Sequence, residues 1–179
     1  MTAAREVLAA DTTRAKNRVH KSTLSHFTGE LSEIYLEQLT QALVKAKSPL
    51  VVTGYLGRDH EAVLQLQRLT KFIPSLRVID SEARYMSFPA SNPAWISPRT
   101  GARAAIASAD LILILDCDVP WVPSKIRPAH TATIWHLEFD TRKDYMRHFD
   151  FGADHTLQVE CKFALKSICD KLDGENRQD

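Results

Sequence analysis

Four carboxylates close two apolar runs in this chain. Asp116 and Asp118 follow Leu111 to Leu115, and Glu138 and Asp140 end the run that opens at Thr133. Oxygen donors grouped in this way could take a divalent cation or the hydroxyls of a ribose. The same residue types also cap helices and end strands, and spacing alone leaves both readings open. A second candidate is Thr53-Gly54-Tyr55-Leu56-Gly57. Two glycines behind a strand would let a phosphate approach the backbone near a helix start. Gly-Tyr-Leu-Gly is not the GxGxxG fingerprint, however, and a tight strand-to-helix turn accounts for it equally well.

Other chemistries are poorly supplied. The seven histidines, His130, His136, His148 and His155 among them, show no HExxH or comparable ligand spacing. His136 falls inside a strand and reads as a partnered structural residue. Without a GxSxG elbow, a serine triad has no support. Cys117, Cys161 and Cys169 lack CxxC spacing, and their odd number argues against a disulfide framework and a zinc site. Trp95 and Trp121 sit among prolines and read as interface anchors.

The elements that must position these residues follow from periodicity. Apolar residues at helical spacing mark helices over 30–46 and from Asp59, as cap, to about Phe72. An Ala-rich helix over 99–109 and a closing helix over 162–172 complete the set. Short apolar runs predict strands at 50–53, 76–79, 111–115, 133–139 and 156–159. Residues 82–98 are a Pro-rich connector, a second one behind 111–115 holds Pro120, Pro123 and Pro128, and 142–148 are at most a short helix. Strands alternating with helices imply βαβ units. The expected fold is a Rossmann-like, doubly wound α/β domain, with a mostly parallel sheet of five to six strands and helices on both faces. Ligands on such a sheet bind at the carboxyl ends of the strands.

The 179 residues, 44% hydrophobic and 25% charged, suit one domain with a real core. A formal net charge of +1 gives no overall attraction to nucleic acid or to an anionic membrane, and neither is expected as a partner. The longest apolar run, Leu111 to Leu115, is too short to span a bilayer. Residues 1–29 read as a lead-in, 30–172 as the domain and 173–179 as a polar tail. The lead-in carries Arg5, Arg14, Lys16, Arg18 and Lys21 among Ser and Thr, which overlaps with mitochondrial transit peptides, whereas Glu6 and Asp11 do not fit one. A reduced, cytoplasmic setting suits the cysteines, with a mitochondrial one the alternative.

Several segments also read together. Pro49 to Arg58 resembles the opening strand and turn of the central domain of thiamine diphosphate-dependent enzymes. Arg84-Tyr85-Met86-Ser87-Phe88-Pro89 is similar to the stretch behind its second strand. Ala109 to Pro123, with Asp118-Val119-Pro120-Trp121, resembles the acetolactate synthase-like group described as thiamine pyrophosphate-requiring proteins. Trp135 to Asp140, with Lys143, is similar to a later strand and turn, and Arg5-Glu6-Val7-Leu8 to the close of a preceding pyrimidine-binding domain. The resemblance spans about residues 30–172.

It implies a parent enzyme that uses thiamine diphosphate and magnesium on 2-oxo acids, with this chain as its central, scaffolding and in some members nucleotide-binding domain. The catalytic glutamate and the Gly-Asp-Gly to Asn motif would lie in the pyrimidine- and diphosphate-binding domains, so the isolated chain would be inactive. A homo-oligomer is implied as well. Thr53, Gly54, Tyr55, Gly57, Asp116, Asp118, Glu138 and Asp140 would be the cofactor-facing residues, and FAD or ADP the nucleotide. Asp116 stands where FAD-binding members have glycine, and Glu160-Cys161 replaces a later Gly-Asp. Both departures count against flavin. A free-standing nucleotide-binding module and a non-catalytic interaction subunit are the competing readings.

Overall fold

A computed structural model describes residues 29–82, 84–140 and 151–176. The lead-in over 1–28, the segment 142–148 with Lys143 and His148, and the end of the tail lie outside the described residues.

Six strands form one sheet: β1 (Pro49–Thr53), β2 (Arg77–Asp80), β3 (Trp95–Ile96), β4 (Leu111–Leu115), β5 (Thr133–Glu138) and β6 (His155–Gln158). Their order is β3-β2-β1-β4-β5-β6 and every pairing is parallel. The chain winds outward from β1 to β3, then returns to the other side of β1 and winds outward again. This is the doubly wound order, whose direction reverses between β1 and β4. The central strands β1 and β4 are buried at every position, as their unbroken apolar runs require.

Among the described residues, four helices cover the sheet: α1 (Glu33–Lys45), α2 (His60–Phe72), α3 (Ala102–Ser108) and α4 (Cys161–Asn176). Side-chain alternation along the strands divides the core in two. Val51, Val78, Leu113, Leu137 and Leu157 face Leu39 and Leu43 of α1, Leu66 and Leu69 of α2, and Leu165 and Ile168 of α4. Leu50, Val52, Ile79, Ile112 and Ile114 face Ala105 and Ile106 of α3 together with Trp121 and Ile126 of the second Pro-rich connector. Each fully buried Leu, Ile or Val contributes about 1.5–3 kcal/mol of burial free energy.

Local signals explain the boundaries. Asp59 has extended backbone and its carboxylate accepts the Glu61 N–H at 3.0 Å, so it caps α2 as expected. Lys162 reaches the same carboxylate at 3.1 Å and joins the starts of α2 and α4. The Asp110 carboxylate accepts the backbone N–H groups of Lys47 and Ser48 and fixes the entry into β1.

The sheet has the sixth strand that the expected five to six allowed, and two readings change. The sixth strand, β3, is a two-residue edge strand between Pro93 and Pro98, where proline is tolerated because one side of the strand faces no partner. The closing helix continues past Leu172 to Asn176. Trp121 is no surface anchor. It is 5% exposed and packs edge-on against Phe151 at 5.6 Å, because its connector folds back over the α3 face. Trp95 lies half-buried in β3. The most exposed large apolar side chains among the described residues are instead Met86, Ile34 and Leu64.

Candidate functional site

The carboxyl ends of β1, β4 and β5 bring the anticipated residues to one edge of the sheet. Thr53 ends β1 and is fully buried, its carbonyl accepting the Ser81 N–H and hydroxyl. Gly54 and Tyr55 follow, and Leu56–Arg58 form a single 3-10 turn into α2. Across the reversal point, Asp116 follows β4 with φ +42°, a left-handed conformation that aspartate tolerates and glycine adopts freely. Its carbonyl accepts the Tyr55 N–H at 2.7 Å and the Gly54 N–H at 3.3 Å, and its own N–H donates to Leu137 at 3.1 Å. Backbone bonds therefore tie the three strand ends together.

The carboxylates do gather here, though not as one group. Asp116 and Glu138 interact directly, and Cys161, at the start of α4, lies against both. Burial pushes the Asp116 carboxyl up to about 6, with the Glu138 charge adding to the rise and Arg58, 3.9 Å away, opposing it. Glu138 also faces His136, with Nε2 and Oε2 3.6 Å apart in a buried pair. The strand histidine thus has the structural partner expected of it. Burial and the neighbouring carboxylates raise the Cys161 thiol well above its ordinary value, and burial raises that of Cys169 to about 12. All three cysteines are buried free thiols.

Asp118 takes the other direction and accepts a hydrogen bond from the Tyr55 hydroxyl. Burial and the bonds to Asp118 and Glu82 raise the Tyr55 phenol. Asp140 and Phe139 are exposed and line a cleft of about 470 Å³ with Tyr55, Arg58, Arg84 and Glu138. Arg58 and Arg84 both lie over the Tyr55 ring, at 5.3 and 5.8 Å from its centroid.

The two glycines serve the chain's own packing. A Cβ on Gly54 would come within 2.9 Å of Glu82 Cγ, and one on Gly57 within 2.7 Å of the Met86 carbonyl oxygen. The 81–89 connector lies directly on the turn. Its anchor is Ser87, fully buried, whose hydroxyl donates to Gly54 O at 3.1 Å and accepts the Gly57 N–H at 3.3 Å. The composition of the turn did not reveal Glu82, Arg84, Ser87 or Cys161 as contributors. The signal available was the pair of glycines, which marks a close approach without naming what approaches.

No protein-family profile and no curated protein matches the chain. Solved structures do. The chain is similar to a protein of Mycobacterium smegmatis assigned to the thiamin diphosphate-dependent enzymes (20% identity, TM-score 0.59, over 76% of this chain and 27% of that one). It is similar to a thiamine diphosphate-dependent 4-hydroxybenzoylformate decarboxylase of Rhodococcus jostii RHA1 (18%, 0.61, 84% and 29%). A third is the benzoylformate decarboxylase of Polynucleobacter necessarius (17%, 0.60, 76% and 26%). The fold is that of a domain of thiamine diphosphate-dependent enzymes. The chain spans less than a third of the length of each of these neighbours.

The N–H groups of Gly54 and Tyr55 are committed to the Asp116 carbonyl, and the turn carries the carboxylates Asp116, Asp118, Glu138 and Glu82 beside the guanidinium groups of Arg58 and Arg84. Among the described residues, no three His, Cys, Asp or Glu side chains are grouped to hold a metal ion. No helix among them is long and apolar enough to cross a membrane.

Proposed function

We propose that the chain is the central, scaffolding domain of a thiamine diphosphate- and magnesium-dependent, acetolactate synthase-like enzyme acting on 2-oxo acids. The observation that carries this reading is the likeness in fold to thiamine diphosphate-dependent enzymes over 76–84% of the chain. The cofactor would be held by pyrimidine- and diphosphate-binding domains of the parent, and when bound it would supply the nucleophilic carbon that attacks a 2-oxo acid. The described residues of this chain would orient those domains through a rigid sheet. A homo-oligomeric, cytoplasmic parent completes the proposal.

The test is to sequence the coding region on either side of the segment that encodes this chain. A glutamate-bearing pyrimidine-binding domain upstream and a Gly-Asp-Gly to Asn motif downstream are expected. The full-length product, given thiamine diphosphate and magnesium, should release carbon dioxide from a 2-oxo acid. A flanking region encoding neither domain refutes the reading.

A further inference from the structure

Apolar side chains exposed singly need no partner, but a group of them marks a surface that is covered. Met86 and Leu64 are 74% and 62% exposed, and Tyr85 is 45% exposed. With Val63 and Pro89 they line a groove of about 540 Å³ between α2 and the 84–89 connector. Its walls are fixed, because the connector lies on Gly57 too closely to admit a Cβ and Ser87 bonds both Gly54 and Gly57. Arg58 and His60 also line the groove, and no carboxylate of the described residues does. Asp59, between them in the chain, turns away to Lys162 at 3.1 Å. The groove is apolar with a basic edge.

Ile34, at the start of α1, is the second most exposed large apolar side chain among the described residues, at 69%. Its setting is acidic. Glu33 precedes it and Glu37 lies one turn on. Glu37 pairs with Lys171, and the charges of Glu33 and Glu175 act on the same ammonium. Three carboxylates around one cation leave net negative charge. Ile34 and the groove thus match in apolar character and in charge, and they sit on separate helices, each packed against α4.

We infer that the start of α1 in one copy of this chain, with Ile34 as its knob, seats in the α2–connector groove of a second copy. The contact joins two different patches, so it is heterologous. Self-pairing of either patch is opposed by its own charge. Groove against groove would set Arg58 against Arg58, and Ile34 against Ile34 would oppose the carboxylates that flank it. Met86, unbranched and flexible, can adapt to the entering side chain. One helix turn in one groove buries less than the standard interface of about 1,600 Å², so the association is weak and depends on concentration. Such a contact serves the homo-oligomeric state proposed above, yet it needs no cofactor and no flanking domain, so either reading can fail alone.

Sedimentation velocity on the full 179-residue chain tests it. Between about 5 µM and about 500 µM the average mass should rise above the 20.2 kDa of one copy. A wild-type chain that stays monomeric throughout overturns the inference. Leu64→Glu blocks the groove and Ile34→Lys the knob, both at positions exposed enough to accept a charge. Each variant alone should be monomeric where the wild type associates, and Met86→Glu should behave as Leu64→Glu does. Mixed in equal amounts, Leu64→Glu and Ile34→Lys should form a one-to-one pair and nothing larger, because one keeps its knob and the other its groove. That recovery also reports that both variants are folded. Undiminished association of any variant alone would overturn the inference. So would a mixture that stays monomeric while both variants keep the circular dichroism of the wild type.

Discussion

Three glycines allow one substitution to be made in three different surroundings. Gly57→Ala puts a Cβ 2.7 Å from the Met86 carbonyl oxygen, 2.8 Å from its carbonyl carbon and 2.9 Å from Tyr85 Cβ. Ordinary contact begins at 3.4 Å, and two of these three neighbours are backbone. The connector must therefore move by roughly half an ångström or more, against the Ser87 bonds to Gly57, Gly54 and Asp80. Overpacking of this kind costs about 1–3 kcal/mol. For a chain of this length that lowers Tm by roughly 2–12 °C. Gly54→Ala meets mainly the Glu82 side chain, which can swing aside at the loss of its hydrogen bonds, so a smaller cost of about 1 kcal/mol is expected. Gly174→Ala lies in α4 with nothing within 4 Å of the new carbon and should stabilise by up to about 1 kcal/mol through helix propensity. Differential scanning calorimetry with urea denaturation reads all three. A Gly57→Ala protein that melts with the wild type, or below which Gly54→Ala melts, would refute the account of the glycines as seats for the connector.

Other expectations follow from the site and the core. The Asp116 carboxyl ordinarily loses its proton near 3.8 and in the folded chain keeps it to about 6, so the folded state binds the extra proton in that window and stability falls as pH rises through it. The loss is on the order of 1–3 kcal/mol. Asp116→Asn should flatten the profile and leave the protein more stable than wild type at pH 7, as urea midpoints at pH 4, 5, 6 and 7 would show; parallel profiles would count against it. The buried thiols of Cys117, Cys161 and Cys169 should resist Ellman's reagent in native buffer and react fully in denaturant. Rapid labelling of any one in the native state contradicts the packing described. Leu113→Ala, at a fully buried position of β4, should cost about 2–5 kcal/mol by the same urea assay.

The strands were legible because each central one is an unbroken apolar run of about five residues bounded by Pro, Gly or Asp. Such runs can be buried on both faces only in a parallel sheet with helices on each side. Asp59 was legible as a cap for a local reason too, since a cap bonds an N–H two residues ahead. β3 was not, because two residues between prolines carry no period and pair only when β2 is already in place. Trp121 misled for a related reason. Its proline-flanked loop looks exposed in one dimension, yet the chain returns it to the α3 face beside Phe151.

The acidic residues at the strand ends divide along the same line. Asp116, Asp118, Glu138 and Asp140 could be placed at one edge of the sheet from the amino-acid order alone, because alternating strands and helices put every strand end on one side. Which of them would pair was decided by tertiary contacts between residues 22 to 63 positions apart. Burial joins Asp116 to Glu138, the Tyr55 hydroxyl takes Asp118, and Asp140 stays at the surface. Local pattern fixes secondary structure because its forces act within a few residues. The setting of the turn depends on Glu82 meeting Gly54 across the sheet, and only the packed chain brings them together.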